Sequence, residues 1–519
     1  MKPKITFFLG FFSPLFLFLL AACTATQIPP TAIAPILPTR TIPVQLAPSG
    51  TPSPLASPIG SPEATATTTP ADGRPSSPCL FLVEVKKLDS GQLQVVYASD
   101  CVSEFDATPK KLWLWVEGQQ PAKAFPLLED VVEPYLSNDH EWILFRRDMD
   151  EQVKEIWAVG GDGQHGRKLA TVALAEVEAR YPGSVRVVLE YSWVGASNRM
   201  VYRVYPQYDL EVGAYDALVL VDVETGASYP LAPADDATAV AYAADGSQIA
   251  VSTPDELHLI DARSGELQFT LPLTTGMASP GMLQYSPSGR HLVVFALEGI
   301  AIVDATQGTF QILPVEFVLW GAGDSPPAKP AIYWAIDDTF FMATLHSEII
   351  ELFEGNIEIW QVDAAKATAT VLQRFAGFYP SVILAPNSGL RHLLYQKTQP
   401  GNPALRELYL LDLMTGEQRL YAEGALGLIS WSPDSSHFLF TRLEPLEGTE
   451  NFTDRYYLGH VELEPMLLGE SLGFLRWADD ERFLTMRRTA DSVEELRLFT
   501  LDGKSVLIGS SEPEGWGIK

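Results

Sequence analysis

Three groups of residues in this 519-residue chain have types and spacings that catalysis or metal binding uses. The first is Gly469-Glu470-Ser471-Leu472-Gly473, which has the form of a nucleophile elbow. Such a serine needs a strand before it, a helix after it, and an acid and a histidine later in the chain. The last histidine is His460, so no base follows Ser471, and the next segment, FLRWADDERFL, reads as strand, turn, strand. The second group is the eight histidines, no two of which have the helical spacing of a zinc pair. His291, His392 and His437 each precede an apolar strand, which marks a structural regularity. The third is Asp148-Met149-Asp150-Glu151, acidic but without the glycine and distal glutamate of a calcium loop. No phosphate-cradling glycine loop or dinucleotide fingerprint appears, and no cofactor or metal is expected.

The cysteines carry a different chemistry. Lys2 and Lys4 precede an apolar run over residues 5–20, broken only by Gly10, Ser13 and Pro14, and Leu20-Ala21-Ala22-Cys23 follows. This arrangement resembles the bacterial lipobox. The resemblance implies a signal peptide over 1–22, cleavage before Cys23, a lipid on Cys23, and an extracytoplasmic protein held on the cell membrane or outer membrane. A plain signal peptide or a retained anchor is the alternative, although the run is short for a spanning helix of about 20 residues. Residues 24–78 are rich in Pro, Thr, Ser and Ala, with only Arg40, Glu63, Asp72 and Arg74 charged. Such a stretch buries too little apolar surface to offset its ordering entropy, so residues 23–78 read as a disordered tether. Cys79 and Cys101 remain, an even pair in an exported chain, and a disulfide is expected between them. Two buried free thiols are the alternative.

The elements that must position any site are strands. Val172–Arg180 is the best helical stretch and it is brief. Elsewhere a hairpin phrase recurs: LVDVETG at 220–226, LIDARSG at 259–265, IVDATQG at 302–308 and LLDLMTG at 410–416. The Asp bonds backbone two residues on, and Gly accepts the left-handed conformation that closes the turn. A hairpin returning about every 40–60 residues signals a repeat architecture of propeller blades. Buried second strands centre on Val95, Leu144, Val201, Ala250, Val293, Phe341, Leu394, Leu439 and Leu484, which makes nine candidate repeats. Propellers typically have about four to eight blades, so about eight are expected, with seven to nine allowed. The first repeat, 81–128, is the most divergent and is expected to help close the ring.

The first halves YSPSGRHLVVF (285–295), WSPDSSHFLF (431–440) and YAADGSQIAV (242–251) resemble the WD40-like repeats of the TolB propeller family. The resemblance implies an all-β propeller of four-stranded blades over 79–519. Asp222, Asp261, Asp304, Asp363, Asp412 and Asp502 recur at one hairpin position and read as turn caps, not as a metal set. Trp142, Trp193, Trp334, Trp431 and Trp477 read as architectural. Longer excursions at 205–215, 317–330, 345–355, 398–406 and 443–455 mostly follow second strands and should share one face. Tyr205, Tyr208 and Tyr215, in the first of these, form a candidate contact patch, with a solvated hairpin extension as the alternative.

The net charge of −29 argues against nucleic acid as a partner. The chain therefore reads as a monomeric, lipid-anchored, non-enzymatic module that binds a protein or an envelope polymer. The alternative is a carbohydrate-active or hydrolytic enzyme with carboxylates from several blades at the channel mouth. Titration of the unfolded, unreduced protein with a thiol reagent is expected to find neither Cys79 nor Cys101 free; two reactive thiols there would remove the disulfide.

Overall fold

A computed structural model describes residues 80–99, 110–118, 125–150, 152–208, 217–231, 237, 239–272, 283–296, 299–313, 315, 331–335, 338–346, 354–379, 382–399, 402–445, 452–470, 472–489 and 493–511. The expectations for residues 1–79, with Cys23 and Cys79, and for Cys101 lie outside them.

The described chain is built of strands in antiparallel succession, each paired with the strand before and after it. They form nine four-stranded sheets, at residues 80–131, 132–173, 186–230, 239–272, 283–313, 332–378, 383–424, 425–470 and 472–510, called sheets 1 to 9. Nine is the upper end of the expected range, and every anticipated centre falls in the second strand of its own sheet. Two strands serve two sheets each. Phe125–Leu136 pairs with sheet 1 up to Val131 and with sheet 2 from Val132. Gln418–Trp431 divides between sheets 7 and 8 at Gly424 and Ala425.

The second strands explain the ring. His291–Ala296 reads HLVVFA, an unbroken apolar run after its first residue. A strand covered on one face alternates apolar with polar, whereas one covered on both reads as continuous apolar sequence. Leu292 and Val294 join a cluster shared with sheet 4, and Val293 and Phe295 join one shared with sheet 6. The same alternation holds around the molecule. Nine apolar clusters fill the nine interfaces, including one that packs Leu484, Leu496 and Ile508 of sheet 9 on Leu93, Val95, Tyr97 and Trp115 of sheet 1. The fold is a closed β-propeller, with the first strands innermost, and sheet 1 does close the ring.

Tryptophans at the ends of first strands stitch sheet to sheet. The indole N–H of Trp193 donates to the Tyr135 carbonyl (3.1 Å), that of Trp431 to Ala385 (2.8 Å) and that of Trp477 to Ser430 (3.3 Å). In each case the acceptor lies on the first strand of the preceding sheet. Each indole is partly buried, and its polar tip finds a backbone acceptor. Between sheets 2 and 3 lies the one α-helix among the described residues, Leu174–Arg180, whose Leu174 and Val177 are buried.

The repeated aspartates are turn caps. Asp261 accepts the N–H groups of Arg263 (2.9 Å) and Ser264 (2.8 Å), and Asp412 those of Met414 (2.8 Å) and Thr415 (3.0 Å). Gly265 and Gly416 close these turns at φ of 74° and 75°, where a side chain would be strained. Burial alone would raise the Asp261 carboxyl, but the N–H and hydroxyl groups around it outweigh burial and hold it below the usual range. Asp222, Asp304 and Asp363 are lowered in the same way. Groups with depressed folded-state pKa values contribute stability that is full above the unfolded value of about 3.9 and is lost as pH falls through the lower folded values. The urea midpoint is therefore expected to drop between pH 5 and pH 2, and Asp261→Asn, which keeps a turn-capping carbonyl, should shallow that drop. An identical slope in the variant would remove this turn from the account.

Candidate functional site: the insertion face

In an up-and-down sheet the first-to-second and third-to-fourth connections lie at one end, and the second-to-third connections lie at the other. The first end carries short Asp- and Ser-rich turns. The second carries all five long excursions, since 205–215, 345–355, 398–406 and 443–455 join second to third strands and 317–330 joins sheet 5 to sheet 6. We call this end the insertion face.

Two of the excursions, 398–406 and 443–455, are largely strand. Second and third strands stay paired as far as Gln399↔Asn402 in sheet 7 and Pro445↔Phe452 in sheet 8. In sheet 6 the third and fourth strands stay paired to Glu354↔Phe378. Sheets 6 to 8 thus carry strands of up to 11 residues, against six or fewer in sheets 4 and 5.

Each of these long sheets holds one mostly buried carboxylate, and each is paired. Glu358 accepts from Arg374 (2.6 Å) and stands 3.2 Å from His346. Glu407 accepts from the Tyr409 hydroxyl (2.9 Å) and lies 3.5 Å from Lys397. Glu444 accepts from Arg455 (2.9 Å) and Tyr457 (2.7 Å). Aromatic rings support them: Tyr395 stacks between Phe375 (6.0 Å) and Tyr409 (5.3 Å), and the Lys397 ammonium lies 4.5 Å from the Tyr409 ring centroid. Burial, with the Glu407 carboxylate beside it, pushes the Tyr409 phenol up to about 12.

Across the ring, sheets 2 and 3 hold a second polar cluster. Arg146, 5% exposed in the second strand of sheet 2, donates to Asp148 (2.7 Å) and Glu133 (2.9 Å). Burial works against this charge, but the Glu133 and Asp148 carboxylates outweigh it and hold the guanidinium above its ordinary range. Glu133 sits just past the point where its strand changes from sheet 1 to sheet 2, at φ of 48°. The buried Tyr191 of sheet 3 donates its hydroxyl to the Val132 (3.0 Å) and Glu133 (2.5 Å) carbonyls. Beside it Glu190 pairs with Arg203 (2.8 Å).

Of the candidate contact patch, Tyr205 is 8% exposed in the second strand of sheet 3, Tyr208 is half-buried one residue past that strand, and Tyr215 lies outside the described residues. Ser471 lies outside them too, but a strand, Leu472–Trp477, follows it where an elbow needs a helix. Among the described residues no group of three His, Cys, Asp or Glu could hold a metal ion. Sequence reading missed the Arg146 cluster. Its signal was Arg146-Arg147-Asp148 directly after the apolar run Trp142–Phe145 of one strand. Replacing Arg146 with Met should cost about 1–3 kcal/mol, less than a fully buried pair because Glu133 and Asp148 reach solvent. Urea denaturation measures it, and a change near zero would show that the cluster does not hold sheets 2 and 3.

No protein-family model matches this chain, and no curated protein matches its sequence. Among solved structures it is similar to the β-propeller domain of the Trilobed protease from Pyrococcus furiosus, at 12% identity and a TM-score of 0.37, over 83% of this chain and 99% of that one. It is also similar to TolB from Acinetobacter baumannii, at 13% identity and a TM-score of 0.29, over 62% of this chain and 78% of that one. A third likeness is to dipeptidyl peptidase 4 of Porphyromonas gingivalis, at 13% identity and a TM-score of 0.43, over 72% of this chain. That match spans 56% of the peptidase, little more than half its length.

Proposed function

We propose that this protein is a non-enzymatic binding module, lipid-anchored through Cys23 outside the cytoplasm, that engages a protein or an envelope polymer with its insertion face. The observation that carries the reading combines topology with composition. The nine connections between second and third strands contain fifteen Asp and Glu and no Lys or Arg, and all leave the same end of the ring. The opposite end is acidic too, but its repeated aspartates are bound to their own turns. Asp150 among the fifteen accepts the N–H groups of Gln152 and Val153, and so rich a set of carboxylates without Lys or Arg favours a partner with basic groups and speeds its encounter at low salt.

The carboxylates placed by sheets 2, 3 and 6 to 8 are each matched with an Arg, Lys or Tyr partner. That pattern suits a rigid support for loops better than an acid–base pair. The test is cross-linking of the full lipidated protein in its native membrane, followed by identification of what co-purifies. The variant for comparison neutralises Glu447, Glu450 and Asp491 to the amides, at positions outside the strands. One stoichiometric partner is expected, its capture falling by about threefold in the variant and by more at high salt. Hydrolysis of a glycan or ester by the purified protein, lost on replacing Glu133 or Glu190, would overturn the reading in favour of an enzyme.

A further inference from the structure

Eight of the nine sheet interfaces join sheets that follow one another in the chain, and two of those are spanned by one continuous strand. Among the described residues the ninth, between sheet 9 and sheet 1, is crossed by no strand, because sheet 1 holds the first four strands and sheet 9 the last four. Charged side chains cross other interfaces too, Lys86, Arg167 and Arg419 to backbone carbonyls and His291 to within 3.2 Å of Asp338, but here Arg and Lys pair with carboxylates. Arg482 grips both Glu117 oxygens (2.6 and 2.8 Å) and donates to the Gly91 carbonyl (3.2 Å). Arg476 pairs with Glu84, and Lys87 lies 3.5 Å from Asp479. Among the described residues, these three are the Lys or Arg pairs with carboxylates that join two different sheets; the others lie within one sheet. The apolar contact at this interface is close as well: Gly509 leaves room for the Tyr97 ring, which a methyl group there would meet at 2.5 Å.

We propose that the interface between sheets 9 and 1 is an ionic latch: the ring opens there before any other interface parts, and ionic strength sets how often it does. The latch also lies where the N-terminal segment joins the ring. Leu80, the first residue of sheet 1, donates its backbone N–H to Glu494 of sheet 9 (3.0 Å).

The test is thiol labelling of the full chain, with the label located by peptide mass spectrometry so that native cysteines do not interfere. Ile508→Cys reports the latch, and Leu259→Cys reports the sheet 4–sheet 5 interface, both sites being buried. Raising NaCl from 0.05 to 1 M should speed labelling at position 508 by about tenfold, as three partly exposed pairs are screened, and at position 259 by no more than about twofold. Arg482→Met should label fast at position 508 at low salt and lose most of the salt response. If Arg482→Met does not fold, Glu84→Gln, which removes a more exposed pair, should give the same change in smaller measure. Equal rates at the two positions, or no salt response at 508, would overturn the latch.

Discussion

A four-stranded sheet whose second strand is apolar on both faces cannot bury itself alone. Each face needs a neighbour, each neighbour has the same need, and the requirement ends only when the last sheet meets the first. The nine clusters around this ring are that requirement satisfied nine times, with residues such as Leu292 and Val293 serving opposite sides of one strand. Everything else is fitted to it. The turns need only reverse the chain, the first strands need only line the centre, and polar side chains are left to the two ends.

The two ends are then not equivalent. At the turn end, aspartates accept backbone N–H groups within a few residues, and short turns leave those carboxylates little freedom. Their charge is engaged locally, which is why their carboxyl groups stay ionised to lower pH. At the insertion end, chain length varies from sheet to sheet without disturbing the apolar interfaces. Loops on a rigid scaffold are where binding residues can change most freely. The paired carboxylates Glu358, Glu407 and Glu444 belong to the scaffold side of that division, since each is held by a strand and by a base or phenol.

What the sequence made legible follows from the same physics. A strand buried on both faces writes a strongly apolar stretch, so all nine second strands were readable even where a polar residue interrupts one, as Arg203 does in Arg199–Gln207, and an Asp followed by Gly four residues later marked four of the third-to-fourth turns. Reducing nine to about eight came from the usual size of propellers, not from any residue of this chain. The two shared strands were not legible, because Phe125–Leu136 and Gln418–Trp431 pass from one sheet to the next with no turn residues to mark the passage. The excursions 398–406 and 443–455 read as loops because polar residues and prolines interrupt them, yet most of their length is paired hairpin. The Arg146 cluster was hidden for another reason. Its members Glu133, Arg146 and Tyr191 come from three strands of two sheets, and only the ring brings them together.

Closure without an exchanged strand has a consequence for how such a ring resists change. Where the chain crosses an interface, parting the two sheets leaves them tethered, and the entropy gained is small. Where it does not cross, the same separation frees both ends of the chain, so equal side-chain contacts hold less firmly. Extra contacts are needed at that one place, and a cluster of the ordinary size with Arg482, Arg476 and Lys87 around it supplies them. Charged pairs add less in water than buried apolar area does, but they re-form in register because their geometry is specific. A ring closed in this way keeps its circular architecture while placing its most easily disturbed contact beside Leu80, where sheet 1 begins.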